Sequence, residues 1–341
     1  MQVFIYIYVK KILPRDFTKN LYFFFIRSTI IIKLVNLTVC YLSKPASGLA
    51  QEKNKMNAKY LILYNPQSGN KSAKDKVFQL DEILANNDLN YVEMTNDFDY
   101  KKFMHEVKND ERVVLCGGDG TINRFVNEVD EADLQKPVFY FPLGSGNDFN
   151  RDVHGKLDNT LINLNNYMNN LPLVTVNGKT SKFINGVGYG IDGWCCEIGD
   201  KLRAKDSTKP INYTSIAVKG ALFQYKKTNA TVVVDGKEYH YKDVFLASTM
   251  KGRFYGGGMM AAPDQDRNNP DHTVSVLVFR GKIRLQVLLV FSKIFTGEHL
   301  KKPKMCILHT GKDIKVSFDS PRAVQVDGET VLGVSEYTVK A

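Results

Sequence analysis

Apolar positions between residues 59 and 161 follow two alternating rhythms. Runs of strand character stand at Tyr60-Leu61-Ile62-Leu63-Tyr64, Tyr91-Val92-Glu93-Met94-Thr95, Arg112-Val113-Val114-Leu115-Cys116 and Phe139-Tyr140-Phe141. Between them, apolar residues recur at helical spacing. Val77, Leu80, Ile83 and Leu84 do so within 73–84, and Ile122, Phe125, Val126 and Val129 do so after residue 121; residues 100–108 suit a further helix. The resulting β-α-β-α-β order predicts a doubly wound, mostly parallel sheet. After Leu161 the rhythm shortens. Strands are expected at 173–176, 182–185, 231–234, 244–247, 274–278 and 314–318, with Asn177-Gly178 and Asp235-Gly236 as hairpin signals. That half reads as an antiparallel β-sandwich domain with helical insertions at 211–226 and 283–295.

The parallel half carries the chemistry at its strand ends. The third run leads into Gly117-Gly118-Asp119-Gly120-Thr121 and then into a helix. Glycines there let the backbone approach a ligand and adopt positive φ, and the free N–H groups of a turn and a first helical turn suit phosphate. Asp119 beside such a site would repel bare phosphate, so it points to a metal ion, a ribose hydroxyl or a proton to be abstracted. The fourth run leads into Pro142-Leu143-Gly144-Ser145-Gly146-Asn147-Asp148-Phe149-Asn150-Arg151, and the first into Asn65-Pro66-Gln67-Ser68-Gly69. All three turns are expected at the same edge of the sheet, where α/β folds bind ligands.

These three stretches, NPQSG, GGDGT and PLGSGNDFNR, resemble in order and spacing the motifs of the diacylglycerol kinase catalytic domain family, which includes bacterial lipid kinases and the sphingosine and ceramide kinases. NAD kinases share the GGDGT element more distantly. The resemblance runs from about residue 57 to the C-terminus. It implies an α/β nucleotide-binding domain over 56–165, a β-sandwich lipid-binding domain over 166–320 and a tail, 321–341, that returns to the interdomain cleft. It implies an ATP-dependent lipid kinase that uses Mg2+ and transfers the γ-phosphoryl group to a lipid hydroxyl, with diacylglycerol as the leading acceptor and phosphatidic acid as product. A soluble-acceptor kinase resembling NAD kinase and a catalytically degenerate nucleotide-binding regulator stay open as alternatives.

Residue by residue, the resemblance implies phosphate contacts from Gly117, Gly118, Gly120 and Gly144, and nucleotide contacts from Asn65, Ser68, Thr95, Thr121, Ser145, Asn147 and Asp148. Asp119 and Asp148 would serve the magnesium ion. Asn185-Gly186-Val187-Gly188-Tyr189-Gly190-Ile191-Asp192 resembles the family's NxxGxGxD element, and Gly256-Gly257-Gly258 its cleft-closing glycine triplet. The family's DGxLD-like run holds a structural magnesium; here Asp271 matches but Ser275 replaces the second acid, which weakens an all-protein cation site. The DGE element falls on Asp327-Gly328-Glu329. A lipid hydroxyl is a poor nucleophile, and the resemblance makes Glu329 its general base, with Asp119 and Asp327 as rivals.

Charge narrows the partners. The chain is +10, but residues 1–55 hold nine Lys/Arg and two Asp/Glu, so residues 56–341 carry only +3. A nearly neutral body disfavours a nucleic-acid partner. Within 1–55 the apolar runs are broken by Arg27 and Lys33, each costing about 2.5–3.5 kcal/mol at a bilayer centre, and none reaches the roughly 18 residues of a spanning helix. The stretch reads either as a basic, aromatic surface anchor or as a mis-called start with Met56 as initiator; strand one begins just after Met56, which favours the second. Five scattered cysteines suit reduced thiols. Residues 282–304 carry an apolar stripe of Ile283, Val287, Val290, Phe291 and Ile294 before Lys301, Lys302 and Lys304, which reads as a core helix or as a basic lip facing anionic membrane. A cytoplasmic protein bound peripherally at a membrane surface is the expectation, with a homodimer open.

Overall fold

β1 (Lys59–Tyr64), β2 (Asp88–Glu93), β3 (Glu111–Gly117) and β4 (Val138–Pro142) pair in parallel in the order β2-β1-β3-β4, and β5 (Ile162–Asn163) adds an antiparallel edge. The computed structural model describes residues 57–341 apart from positions 67, 72, 96 and 207–210, and Met56–Ala341 forms one unit. The readings for residues 1–55 lie outside the described residues. Side chains alternate along β1: Leu61 and Leu63 enter one core with Val113, Leu115, Ile122 and Phe125, while Tyr60, Ile62 and Tyr64 enter another with Val77, Leu80, Val114 and Phe141. Burial of both faces explains why β1, β3 and β4 read as nearly continuous apolar runs, whereas the edge strand β2 is only partly covered.

After α1 (Ser68–Lys71), the helix expected over 73–84 is broken into α2 (Ala73–Val77) and α3 (Leu80–Ile83), with a turn at Phe78 and Gln79. Val77 and Leu80 are buried as expected, but Ile83 is exposed. α4 (Tyr100–Glu106) and α5 (Asp119–Glu128) match the pattern; α6 (Asp148–His154), which the pattern did not show, follows the β4 turn, and α7 (Asn165–Met168) closes the first half.

The second half is an antiparallel, β-sandwich-like domain. β6 (Leu173–Val176), β7 (Lys179–Lys182), β8 (Gly186–Tyr189), β9 (Thr228–Val234), β10 (Lys237–Met250), β13 (Val274–Arg280), β14 (Cys306–Gly311), β15 (Asp313–Val326) and β16 (Glu329–Lys340) form one nine-stranded sheet; β11 (Phe254–Tyr255) and β12 (Met259–Met260) make a small hairpin. Register shifts within β10 and β15 let these two long strands change partners along their length, so that β9 pairs with both. Asn177-Gly178 and Asp235-Gly236 form the tight turns predicted, each with both residues at positive φ. Of the strand expected at 182–185, Lys182 ends β7 and 183–185 are the passage to β8. α8 (Ile191–Lys205), α9 (Tyr213–Lys219) and α10 (Arg284–Phe291) cover a second core that includes Tyr225, Phe245, Leu277 and Val287. The boundary expected at 320/321 falls inside β15, so residues 321–341 are no separate tail but half of β15 and all of β16. Among the described residues, no helix is long and apolar enough to cross a membrane.

Candidate active site

Sheet order decides where the three turns lie. β1, β3 and β4 are neighbours and parallel, so their C-terminal turns line one edge. Leu143 N and Gly144 N donate to Gly117 O at 2.8 and 3.0 Å, which hangs the third turn from the second. A Cβ at Gly144 would lie 2.4 Å from Gly118 Cα, so this approach of two backbones requires glycine. At Gly117 a Cβ would meet the Thr121 hydroxyl at 2.3 Å. α5 begins without a side-chain cap, since Gly118 is its N-cap residue. Its first N–H groups and exposed Gly120 can thus accept an anion. Exposed Ser145 lines a cavity of about 260 Å3 with Lys76, Gln79, Gly144 and Asn150.

Two residues assigned to the nucleotide have their side chains engaged elsewhere. Asn147 adopts φ +52°, and its amide donates to Gly144 O at 2.8 Å while its Oδ1 lies 3.3 Å from the Tyr140 hydroxyl. It shapes the turn from within. Asp148 accepts from Gly257 N at 2.7 Å and Gly258 N at 2.6 Å. Gly256, Gly257 and Gly258 all take positive φ, a run only glycine adopts freely, and so present two amides to one carboxylate. Burial and the neighbouring Asp119 charge hold the Asp148 carboxyl well above the usual carboxylate range, against the pull of those amides.

Asp119 is half-buried at the start of α5. It accepts from Asp148 N at 3.0 Å, Phe149 N at 2.9 Å and the Asn185 amide at 2.9 Å. It caps the first turn of α6 and reaches the β domain through Asn185. Behind it, Asp152 accepts from Arg253 Nε at 2.7 Å and Arg267 Nε at 2.6 Å; Arg267 also donates to Ile184 O and Asn185 Oδ1 and lies over the Phe149 ring. Arg151 faces the Phe254 ring beside Gly258, and its buried Nε has no partner among the described residues. The seam between the two halves is therefore a chain of charge-assisted bonds.

Asp327 closes the far end of this seam. It sits at φ +46° in the β15–β16 turn and accepts from Ile184 N at 2.6 Å, Asn185 N and Gly186 N at 2.9 Å, and the Asn123 amide of α5 at 2.8 Å. Burial raises its carboxyl while these donors pull it down. With four donors on its two oxygens, Asp327 is a structural bolt. Glu329, two residues on, is exposed at the start of β16.

Asp271 is not brought to this group. It is exposed in the loop before β13, and Ser275, in the position of the second acid, donates to Gln265 Oε1 at 2.5 Å and lies 2.8 Å from Thr310 Oγ1. Neutral hydrogen bonding fills that position, and no cluster of three His, Cys, Asp or Glu groups forms among the described residues. A structural magnesium at Asp271 does not fit. Thr95 is exposed beyond β2, where its hydroxyl bond holds Asp97 below the usual carboxylate range. Asn65 and Ser68 lie in the turn after β1, with Ser68 N donating to Asn65 O at 3.0 Å.

Sequence reasoning missed Asn123, Asp152, Arg253 and Arg267 as site-building residues. Asp152 alone left a signal, one helical turn after Asp148 on α6.

Comparison with known proteins agrees with this architecture. Residues 59–172 match the family described as the Diacylglycerol kinase catalytic domain, and residues 185–339 match the YegS C-terminal NAD kinase beta sandwich-like domain. Proteins named "Putative lipid kinase" from Staphylococcus aureus strains JH9 and Newman are 24% identical over 288 residues, 80% of this chain and 90% of theirs. A crystal structure from Bacillus anthracis str. Sterne, described as "a putative diacylglycerol kinase", superposes with TM-score 0.59 at 18% identity, covering 86% of this chain and 95% of that one. A further structure of a diacylglycerol kinase from the same strain gives TM-score 0.55 at 17% identity, over 84% and 95%.

Proposed function

The chain belongs to the diacylglycerol kinase catalytic domain family, and from that premise we propose that it is an ATP-dependent lipid kinase that converts diacylglycerol to phosphatidic acid. The observation that carries this reading is the meeting of the β3 and β4 glycine turns, tied together at Gly117 and Gly144, with the two acids Asp119 and Asp148 beside them. Phosphoryl transfer needs positioning and charge neutralisation more than covalent chemistry. The first N–H groups of α5, the Thr121 hydroxyl and the Ser145 hydroxyl hold the phosphates. Asp119 and Asp148 are the acids beside these turns that would hold Mg2+, directly or through its water. When bound, that ion neutralises the phosphate charge. Glu329, free of the bonds that engage Asp327, takes the proton of the lipid hydroxyl as its oxygen bonds the γ-phosphorus and the bond to the β-phosphate oxygen breaks, releasing ADP.

The lipid is drawn from a membrane surface. ATP as donor and free thiols at Cys116, Cys195, Cys196 and Cys306 suit the cytoplasm. A second reading, a soluble acceptor, is favoured by the NAD kinase-like description of the C-terminal domain. Labelled ATP supplied to the purified protein with diacylglycerol, sphingosine, ceramide and NAD decides between them: label in phosphatidic acid supports the proposal, and label confined to a water-soluble product replaces it with the second reading.

A further inference from the structure

The stripe read at 283–294 divides in the folded chain. Val287, Val290 and Ile294 are buried, whereas Ile283 is 55%, Leu285 50% and Leu289 59% exposed. Leu285 and Leu289 lie one helical turn apart on α10 and therefore share a face. A fourth residue joins them from a distant segment. Arg284 donates to Ala221 O at 2.9 Å and Tyr225 O at 2.8 Å, and Lys227 Nζ donates to Lys282 O at 3.0 Å. These bonds clamp the start of α10 to the π-helical turn Gly220–Gln224, where Phe223 is 61% exposed. Four large exposed apolar side chains thus lie on two segments that are clamped to each other on the β domain, where single exposed residues would need no explanation.

The rim of this surface is basic. Lys219 lies one turn before Phe223, Lys226 follows the π-turn, Lys282 precedes Ile283, and Lys293 lies one turn beyond Leu289; none of the four has an ion pair in the described structure. The nearby acids are engaged: Asp243 pairs with Lys227 at 2.8 Å and Glu298 with Lys301 at 2.6 Å. A second copy of the chain would bring the same unpaired lysines against themselves, and residues 1–55, net +7, carry the same sign. An anionic surface with an apolar interior complements both features.

We propose that Phe223, Ile283, Leu285 and Leu289, ringed by Lys219, Lys226, Lys282 and Lys293, are the face by which the protein docks on an anionic phospholipid bilayer. The inference builds on a lipid kinase reading, since docking brings the enzyme to the leaflet that holds its acceptor.

The test is sedimentation of the full chain with vesicles of phosphatidylcholine containing phosphatidylglycerol, which reads docking without turnover. Leu285→Asp with Leu289→Asp should weaken the partition at least about tenfold, and each Lys→Glu change at 219, 226 or 282 by about fivefold or more. High salt should release the wild type. Activity toward a dispersed short-chain diacylglycerol should persist in the Asp variant, which shows that it is folded, while turnover of long-chain diacylglycerol in vesicles falls. Unchanged vesicle binding by folded Asp and Glu variants overturns the proposal. So does a wild-type dimer, seen by sedimentation velocity, that the Asp variant dissociates, because the face would then be covered by a second copy. Vesicle binding that needs these residues, without phosphorylation of any lipid, would sink the kinase reading alone.

Discussion

The parallel half and the antiparallel half contribute to the same site in different ways. In the parallel half, each functional turn is a short continuous stretch at a strand end, and neighbouring strands bring the turns together. In the antiparallel half, the groups that meet them come from four separate places: Asn185 before β8, the glycine triplet between β11 and β12, Arg267 in a loop, and Asp327 between β15 and β16. One half presents the groups proposed to meet the ligand, and the other fixes their geometry. A local turn can be specified by a motif, but a seam is specified only by a fold.

The widest gap between the two roles should appear at the β15–β16 turn, where Asp327 and Glu329 stand two residues apart. General-base help is worth about 10²–10⁴-fold. Glu329→Gln should lower kcat by that amount and leave ATP binding and thermal stability near those of the wild type, whereas Asp327→Asn should show itself mainly in stability, because four donors lose their anionic partner. A normal kcat for Glu329→Gln returns the base to Asp119.

Next in size is the buried cluster behind Asp119. Arg267→Met leaves the buried Asp152 with Arg253 alone, and breaking a buried pair of this kind costs roughly 3 kcal/mol or more. The variant should unfold at a clearly lower denaturant concentration, and its KM for ATP should rise as Asn185 and Asp119 lose their alignment. A drop confined to stability would make the cluster a brace with no bearing on the nucleotide.

The smallest effect runs in the opposite direction. Burial pushes the Asp192 carboxyl up to about 6 from an ordinary 3.8, with one relieving bond from Gln325. Above pH 6 it is ionised in both states, and the folded state bears the full cost of burying the charge. As pH falls from 6 to below 4 the proton returns and the cost vanishes. Asp192→Asn should therefore stabilise the protein by up to about 3 kcal/mol at pH 8 and scarcely at all at pH 3.5, as chemical denaturation at both values would show. Equal effects at both pH values would mean that the gain has another source.

How far the sequence reveals these features follows from the same contrast. The β-α-β order was legible because both faces of a parallel sheet are buried, and Gly117 to Thr121 carry their meaning within five residues. The roles of Asn147 and Asp148 were not legible. Asn147 bonds a carbonyl three residues back, and Asp148 bonds amides more than a hundred residues on. Ile314 to Phe318 read as a strand, but the register shifts that carry β15 on to Val326 leave no periodic signal. Ile283 falls on one apolar stripe with Val287, yet the fold exposes the first and buries the second, because periodicity finds an apolar face without saying what the face meets. The break at Phe78 was hidden for a related reason: Phe78 leaves the helical face to pack on Tyr91 at 5.1 Å.

The central claim is that the glycine turns and Asp119 form the phosphoryl-transfer centre of a lipid kinase. The direct measurement is incorporation of labelled γ-phosphate from ATP into the organic phase with diacylglycerol, for the wild type and for Asp119→Asn. The account predicts magnesium-dependent labelling of phosphatidic acid by the wild type and a fall of about 10³-fold or more in the variant, with the fold retained. Labelling by Asp119→Asn at the wild-type rate and with unchanged magnesium dependence would contradict it.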